Sequence, residues 1–117
     1  MSFSQSSRAL VLSAVASSSG SLDRLVYTMD YLNRAWPSDA EFEWAVQYLL
    51  GTGLIEERAP LHFSLTKEGK KLWQRTRGKG AIQRFIELVD LLPSGEQAEW
   101  TLDREAYNDA IQDYAGS

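Results

Sequence analysis

The 117-residue sequence contains no cysteine, one histidine and three prolines. Without cysteine there is no disulfide framework, no thiolate nucleophile and no cysteine zinc site, and redox compartment goes unread. The lone His62 leaves almost no material for histidine-based metal or triad chemistry. No apolar run approaches the ~20 residues that span a bilayer, so a soluble cytoplasmic protein with no membrane partner is expected. Basic excess is also missing. Twelve Lys and Arg stand against 16 Asp and Glu, a formal net charge of -4 that gives nonspecific nucleic-acid binding no overall support.

What is present suits one globular domain. The chain is 44% hydrophobic and 24% charged, far from the profile of a disordered tail. At this length folding removes roughly two-thirds of the unfolded surface from water, so an independent core is available and a second full domain is not expected.

Residues 8–20, "RALVLSAVASSSG", have the outline of a secretory leader: a positive charge, an eight-residue apolar run and Ala14-Val15-Ala16 in the manner of a cleavage site. The run is short for a leader core and is interrupted by Ser13. Leu10, Val11, Ala14 and Val15 fall on one helical face, so a structural first helix is expected.

Beyond the Ser/Gly punctuation at 17–21, Leu22, Leu25, Val26, Met29 and Leu32 recur at helical spacing, with Ser21 as N-cap. Pro37 ends this second helix. A third starts at once: Ser38 and Glu41 form an S-x-x-E capping box, Phe42, Ala45, Val46, Leu49 and Leu50 make the inward stripe, and Gly51 is a natural stop. "LIEER" and "HFSLT" are short strands joined through Ala59-Pro60-Leu61 into a hairpin. Thr66 caps a fourth helix, "KEGKKLWQRT", with Leu72 and Trp73 inward and Gly69 permitting close approach to the hairpin. "RGKG" at 77–80 is a flexible joint. A fifth helix, "AIQRFIELVDLL", turns Ile82, Phe85, Ile86, Val89 and Leu92 inward and stops at Pro93. After the loop "PSGEQ", "EWTL" is a candidate strand, and Asp103 caps a last helix with Tyr107, Ala110, Ile111 and Tyr114 inward. No internal repeat is found. The fold class is mainly α with a small β-hairpin, α+β.

Three helices, a two-stranded hairpin and another helix, in that order, resemble the winged helix-turn-helix fold. "YLLGTGLIEE", followed after the hairpin by "LTKEGKKL", is similar to the end of the recognition helix, the wing and the post-wing helix of PadR-like and MarR-like regulators, a likeness over residues 8–77. It implies a winged-helix domain over 1–77 and a C-terminal helical extension over 78–117, packed on that domain or on a partner subunit. Such a likeness names a superfamily rather than a function, and it brings no catalytic residues.

By that resemblance residues 38–50 are the recognition helix, which in DNA-binding members enters the major groove. Stepping 100° per residue leaves Ala40, Glu43, Trp44, Gln47 and Tyr48 outward, with Glu41 at the flank. This face has no Lys or Arg to neutralise phosphates or read guanine, and Gln47 alone suits adenine. Asp39 and Glu41 have ordinary helix-start explanations, in the dipole and the capping box. Glu43 has none, and two outward aromatics one turn apart usually mark burial. Glu43, Trp44, Gln47 and Tyr48 are therefore expected to make protein contacts, with the chain's own C-terminal segment or with a second molecule.

Charge is segregated along the chain. Residues 67–84 hold seven cations, including Lys67, Lys70, Lys71 and Arg77, against Glu68 alone, whereas residues 85–117 hold eight acids against Arg104 alone. The basic tract is a phosphate-binding patch, or else a solvated helix face, or a partner for the acidic tail within or between chains; the latter two are favoured because the post-wing helix usually leads away from the groove. Arg58 and His62 lie near the wing tip, where winged-helix proteins often touch the DNA backbone; a strand residue facing water is the plainer account of His62. "RGKG" is too short for a P-loop.

Together these features describe a non-enzymatic winged-helix interaction or regulatory protein without cofactor or metal, whose partners are a protein or a second copy. The acids show no nucleophile–base or paired-carboxylate pattern. The alternative is a DNA-binding transcriptional regulator, dimeric through its fifth or sixth helix, with Arg58, His62, Lys67, Lys70, Lys71 and Arg77 as nucleic-acid contacts.

Overall fold

Helix α1 (Gln5–Ser17) is enclosed on every side over residues 9–15. An apolar run with no polar face fits only the middle of a core, and α2 (Leu22–Asn33), α3 (Asp39–Gly51) and α5 (Ala81–Leu88) all pack on it. The single inward face expected for this helix is thus replaced by burial all round, Ser13 included. These relations are those of a computed structural model that describes residues 3–18 and 20–116. Among the described residues the fold is completed by a hairpin of β1 (Ile55–Ala59) and β2 (His62–Leu65), by α4 (Lys67–Gln74) and by α6 (Arg104–Ala115), giving a mainly helical α+β architecture.

The helix starts follow local chemistry. Ser38 Oγ accepts from the Glu41 N–H at 3.1 Å, Thr66 Oγ1 from the Gly69 N–H at 3.0 Å and Asp103 Oδ1 from the Ala106 N–H at 3.0 Å. Each cap contributes about 1 kcal/mol. Ser21 holds the N-cap position of α2, but its side chain makes no capping bond. Its backbone instead bridges to His62. The reciprocal half of the Ser38–Glu41 box is also absent: the Glu41 carboxylate accepts from the Ser4 N–H and the Ser7 hydroxyl at the start of α1.

The hairpin is antiparallel, pairing Ile55 with Leu65 and Glu57 with Phe63, with an irregularity between Glu57 and Ala59. Ala59 belongs to β1, which leaves Pro60 and Leu61 as the turn. Gly69 has the role expected of it, since a Cβ there would sit 2.0 Å from the Leu54 carbonyl oxygen.

One core takes Leu25 and Met29 from α2, Phe42, Val46 and Leu49 from α3, Phe63 from β2, Leu72 from α4, Phe85 and Leu88 from α5, and Tyr107 from α6. Each such side chain contributes roughly 1.5–3 kcal/mol on burial, so the C-terminal helices are fastened to the same core as the first three. Helix α5 departs from expectation. It ends at Leu88, short of Pro93, and buries Phe85 and Leu88 while Ile82 and Ile86 face outward. Its apolar residues cover more than one face, and the face that fits α1 is the one carrying Phe85. Helix α4 likewise ends at Gln74, two residues before Thr76. Residues 99–102, "EWTL", form no strand; the whole segment 92–103 is extended chain without regular structure. No helix among the described residues is long and apolar enough to cross a membrane.

Candidate functional site

Segment 92–103 runs antiparallel along α3, and it covers the outward face of that helix. At the C-terminal end of α3 the Tyr48 hydroxyl donates to the Pro93 carbonyl. One turn on, Gly51 lies so close to the strap that a Cβ would come within 1.9 Å of the Glu96 carbonyl oxygen. The expected helix stop therefore does a different job. The residue with the left-handed backbone of a stop is Gly53, at φ 72°.

Gln47 holds the middle of the strap from both of its polar ends. Its backbone carbonyl accepts from the Ala98 N–H at 2.9 Å, and its side-chain amide donates to the Trp100 carbonyl at 2.7 Å. Nearby the Gln97 amide donates to the Trp44 carbonyl at 3.3 Å. At the N-terminal end Glu43 Oε2 accepts from the Leu102 N–H at 2.8 Å, while Glu43 Oε1 accepts from Arg104 Nη2 at 3.0 Å. The other guanidinium nitrogen of Arg104 reaches Asp39 Oδ1 at 3.0 Å. Hydrogen bonds to an ionised partner contribute about 1.5–3 kcal/mol each when shielded, and the Glu43 side chain is only 18% exposed.

The opposite flank of the same face is closed by α1. The Arg8 guanidinium carbon lies 3.9 Å from the ring centroids of both Trp44 and Tyr48, and Phe3 packs on Trp44 at 5.4 Å between centroids. Burial raises the Tyr48 phenol above its ordinary value, with the Arg8 charge opposing, and burial pulls the Arg8 guanidinium down. The phenol is thus held neutral and the guanidinium stays charged.

Further contacts pin the C-terminal end of the strap and the helix that follows it. Trp100 Nε1 donates to Glu57 Oε1 at 3.1 Å and its ring meets Phe63 at 5.9 Å, which ties the strap to the hairpin. Tyr107 stacks on Phe42 at 4.5 Å, and its hydroxyl donates to the Pro37 carbonyl at 2.7 Å. Burial and the nearby Asp39 and Glu41 carboxylates raise the Tyr107 phenol strongly.

Glu43, Trp44, Gln47 and Tyr48 are therefore brought together as one surface whose contacts lie within the chain. The remaining candidates are arranged differently. Arg58 is exposed on β1, 2.7 Å from Glu56 and donating to Ser64 Oγ at 2.9 Å. His62 is exposed at the start of β2. Lys67, Lys70 and Lys71 lie exposed on α4, with Lys71 3.5 Å from Glu68, and Arg77 follows that helix. Pairing between this basic tract and the acidic tail does not form as ion pairs among the described residues. The tail's Arg104 turns to the acids of α3, the Glu87 carboxylate accepts the backbone N–H groups of Arg77 and Gly78, and Arg84 packs on Trp73 at 4.1 Å. Among the described residues no three His, Asp or Glu side chains gather closely enough to hold a metal ion.

Arg8, Gly51, Pro93, Trp100 and Leu102 are residues of this surface to which the sequence pattern gave no such part, Gly51 and Pro93 having been read only as helix stops. Arg104 was visible as the lone cation in an acidic stretch. No protein-family model, curated protein or solved structure matches the chain.

Proposed function

We propose that the chain is a non-enzymatic, cytoplasmic winged-helix interaction protein in which the recognition helix is given over to protein contact within the chain itself. The observation that carries this reading is the hydrogen bonding of the outward face of α3 by its own C-terminal strap, from Tyr48–Pro93 at one end to Glu43–Leu102 at the other. For α3 to enter a DNA groove the strap would have to leave, which would strand buried polar groups and free a carboxylate towards the phosphates. Regulation or assembly then falls to surfaces other than α3.

One observation favours the alternative of a DNA-binding regulator: Lys67 and Lys70 are exposed and have no ion-pair partner among the described residues. The two readings part on a salt titration of binding to mixed-sequence duplex DNA. The interaction reading expects little binding even at low salt. Strong binding that falls steeply with salt, and weakens when Lys67, Lys70 and Lys71 are neutralised, would overturn it in favour of the alternative.

A further inference from the structure

Among the described residues, every large hydrophobic side chain that stands exposed lies on α2 or α5: Tyr27 at 53%, Tyr31 at 60%, Ile82 at 41% and Ile86 at 61%. At 100° per residue Tyr27 holds the middle of the outer face of α2. Asp23 and Asp30 fall on the flank towards α6, where the Asp30 carboxylate accepts from the Tyr114 hydroxyl at 2.7 Å and Tyr27 meets the Tyr114 ring. Arg24 and Tyr31 fall on the flank towards α5. There Tyr31, Ile82 and the C-cap residue Arg34 line an open hollow of about 640 Å³, together with Asp30 and Leu32.

Both ends of this strip carry an exposed arginine, and both stand where local helix physics disfavours them. Arg24 lies in the first turn of α2, the positive end of the helix dipole, which favours acids. Arg34 is held at φ 56°, in the left-handed region where a helix end ordinarily takes glycine. Neither guanidinium has an ion-pair partner among the described residues, so folding gains no salt bridge in return. Local strain retained with a free charge beside an apolar hollow points to a contact made with another molecule.

We propose that this face of α2 and α5 is the docking site for an acidic amphipathic helix of another protein, its apolar side seated on Tyr31 and Ile82 and a carboxylate at each end on Arg24 and Arg34. The proposal rests on the interaction reading, which leaves assembly to surfaces away from α3. Exposed tyrosines flanked by arginines have the composition of an interface centre. Ten residues separate the two arginines, about 15 Å along the axis, so carboxylates roughly three turns apart on the partner reach both. A second copy does not fit through α2. Antiparallel pairing would set Arg24 against Arg34, and parallel pairing would set each arginine against itself. A nucleic-acid strand is a poorer match, because its continuous charge would meet Asp23 and Asp30 as well, and Ile82 and Ile86 give bases no face to stack on.

Fluorescence anisotropy of a labelled amphipathic peptide of about five turns, with leucines along one face and glutamates at both ends of it, measures docking on the full chain. The wild type should bind it in the micromolar range, more weakly as salt rises. The same peptide with lysines for glutamates should bind at least about tenfold more weakly. Arg24→Glu should weaken the acidic peptide at least about threefold and Ile82→Asp at least about tenfold, with unchanged circular dichroism showing that the fold persists. Arg34→Gly should weaken binding about threefold yet unfold at the same urea concentration as wild type or a higher one, a split that a purely structural arginine would not give. The proposal is overturned by an acidic peptide that fails to bind at millimolar concentration, binds no better than the lysine peptide, or is indifferent to Ile82→Asp and Arg34→Gly. Tighter binding of a labelled oligothymidylate, or self-association of the chain that Ile82→Asp abolishes, overturns it in favour of those occupants. Strong, salt-sensitive binding of duplex DNA would strike the interaction reading instead, whereas failure of the peptide without DNA binding strikes this surface alone.

Discussion

The Glu43 carboxylate meets the backbone N–H of Leu102 at 2.8 Å, across 59 residues of sequence. An acid on the outward face of α3 is thereby the anchor of the segment that covers it. Its second oxygen takes Arg104, so the charge is compensated where it stands.

Removing that anchor should be costly. Glu43→Ala leaves the Leu102 N–H without its acceptor and the Arg104 guanidinium with Asp39 alone, and a loss of roughly 1.5–3 kcal/mol in urea unfolding is expected. Glu68→Ala, which removes an exposed pair with Lys71, should change stability by less than about 0.5 kcal/mol. Similar losses for the two variants would mean that Glu43 does not hold the strap.

Gly51→Ala separates the strap from ordinary helix propensity by its sign. Within a helix, Gly to Ala normally stabilises by about 1 kcal/mol. Here the added Cβ would fall 1.9 Å from the Glu96 carbonyl oxygen, so a net destabilisation of roughly 1–3 kcal/mol is expected. Urea unfolding gives the answer, and a stabilised variant would place the strap away from α3.

Arg8 is held between two aromatic faces by a planar cation. Arg8→Ala should destabilise by roughly 1–2 kcal/mol, and Arg8→Lys should restore only part of this because an ammonium cannot lie flat against both rings. Thermal or urea unfolding of the pair of variants checks it, and full rescue by lysine would argue that charge alone matters.

Alkaline pH should weaken the fold. Burial raises the phenols of Tyr48 and Tyr107 above the ordinary 10.0, with Asp39 and Glu41 adding to the shift of Tyr107 and Arg8 opposing that of Tyr48. A group with a raised native pKa lends stability that is complete below its unfolded value and is lost as pH climbs towards the native one. Stability should therefore hold up to about pH 9 and fall as pH passes 10. Tyr48→Phe should give a shallower fall than wild type in urea unfolding carried out across that range, although it starts lower through loss of the bond to Pro93.

Much of the fold was legible because local rules and tertiary packing agreed. Ser38, Thr66 and Asp103 sit at helix starts, Pro60 in the turn, and Gly69 against the hairpin. The outward aromatics of α3 pointed to a covered face, and in the structure residues 92–103 and α1 lie against it. What periodicity could not give was the angle at which α5 lies on α1, so Ile82 and Ile86 were assigned inward and stand outside. Nor could it give the path of residues 92–103. That segment has no repeating pattern; its course is set one bond at a time by Gln47, Glu43 and the space left by Gly51.

Native-state amide hydrogen exchange at Ala98 and Leu102 tests the cover over α3 most directly. Both lie in chain without regular structure, so their protection can come only from the Gln47 carbonyl and the Glu43 carboxylate. Exchange slowed by at least about a hundredfold relative to an unstructured chain, and lost at Leu102 in Glu43→Ala, is the expected result. Exchange of both amides at the rate of a free loop would contradict it.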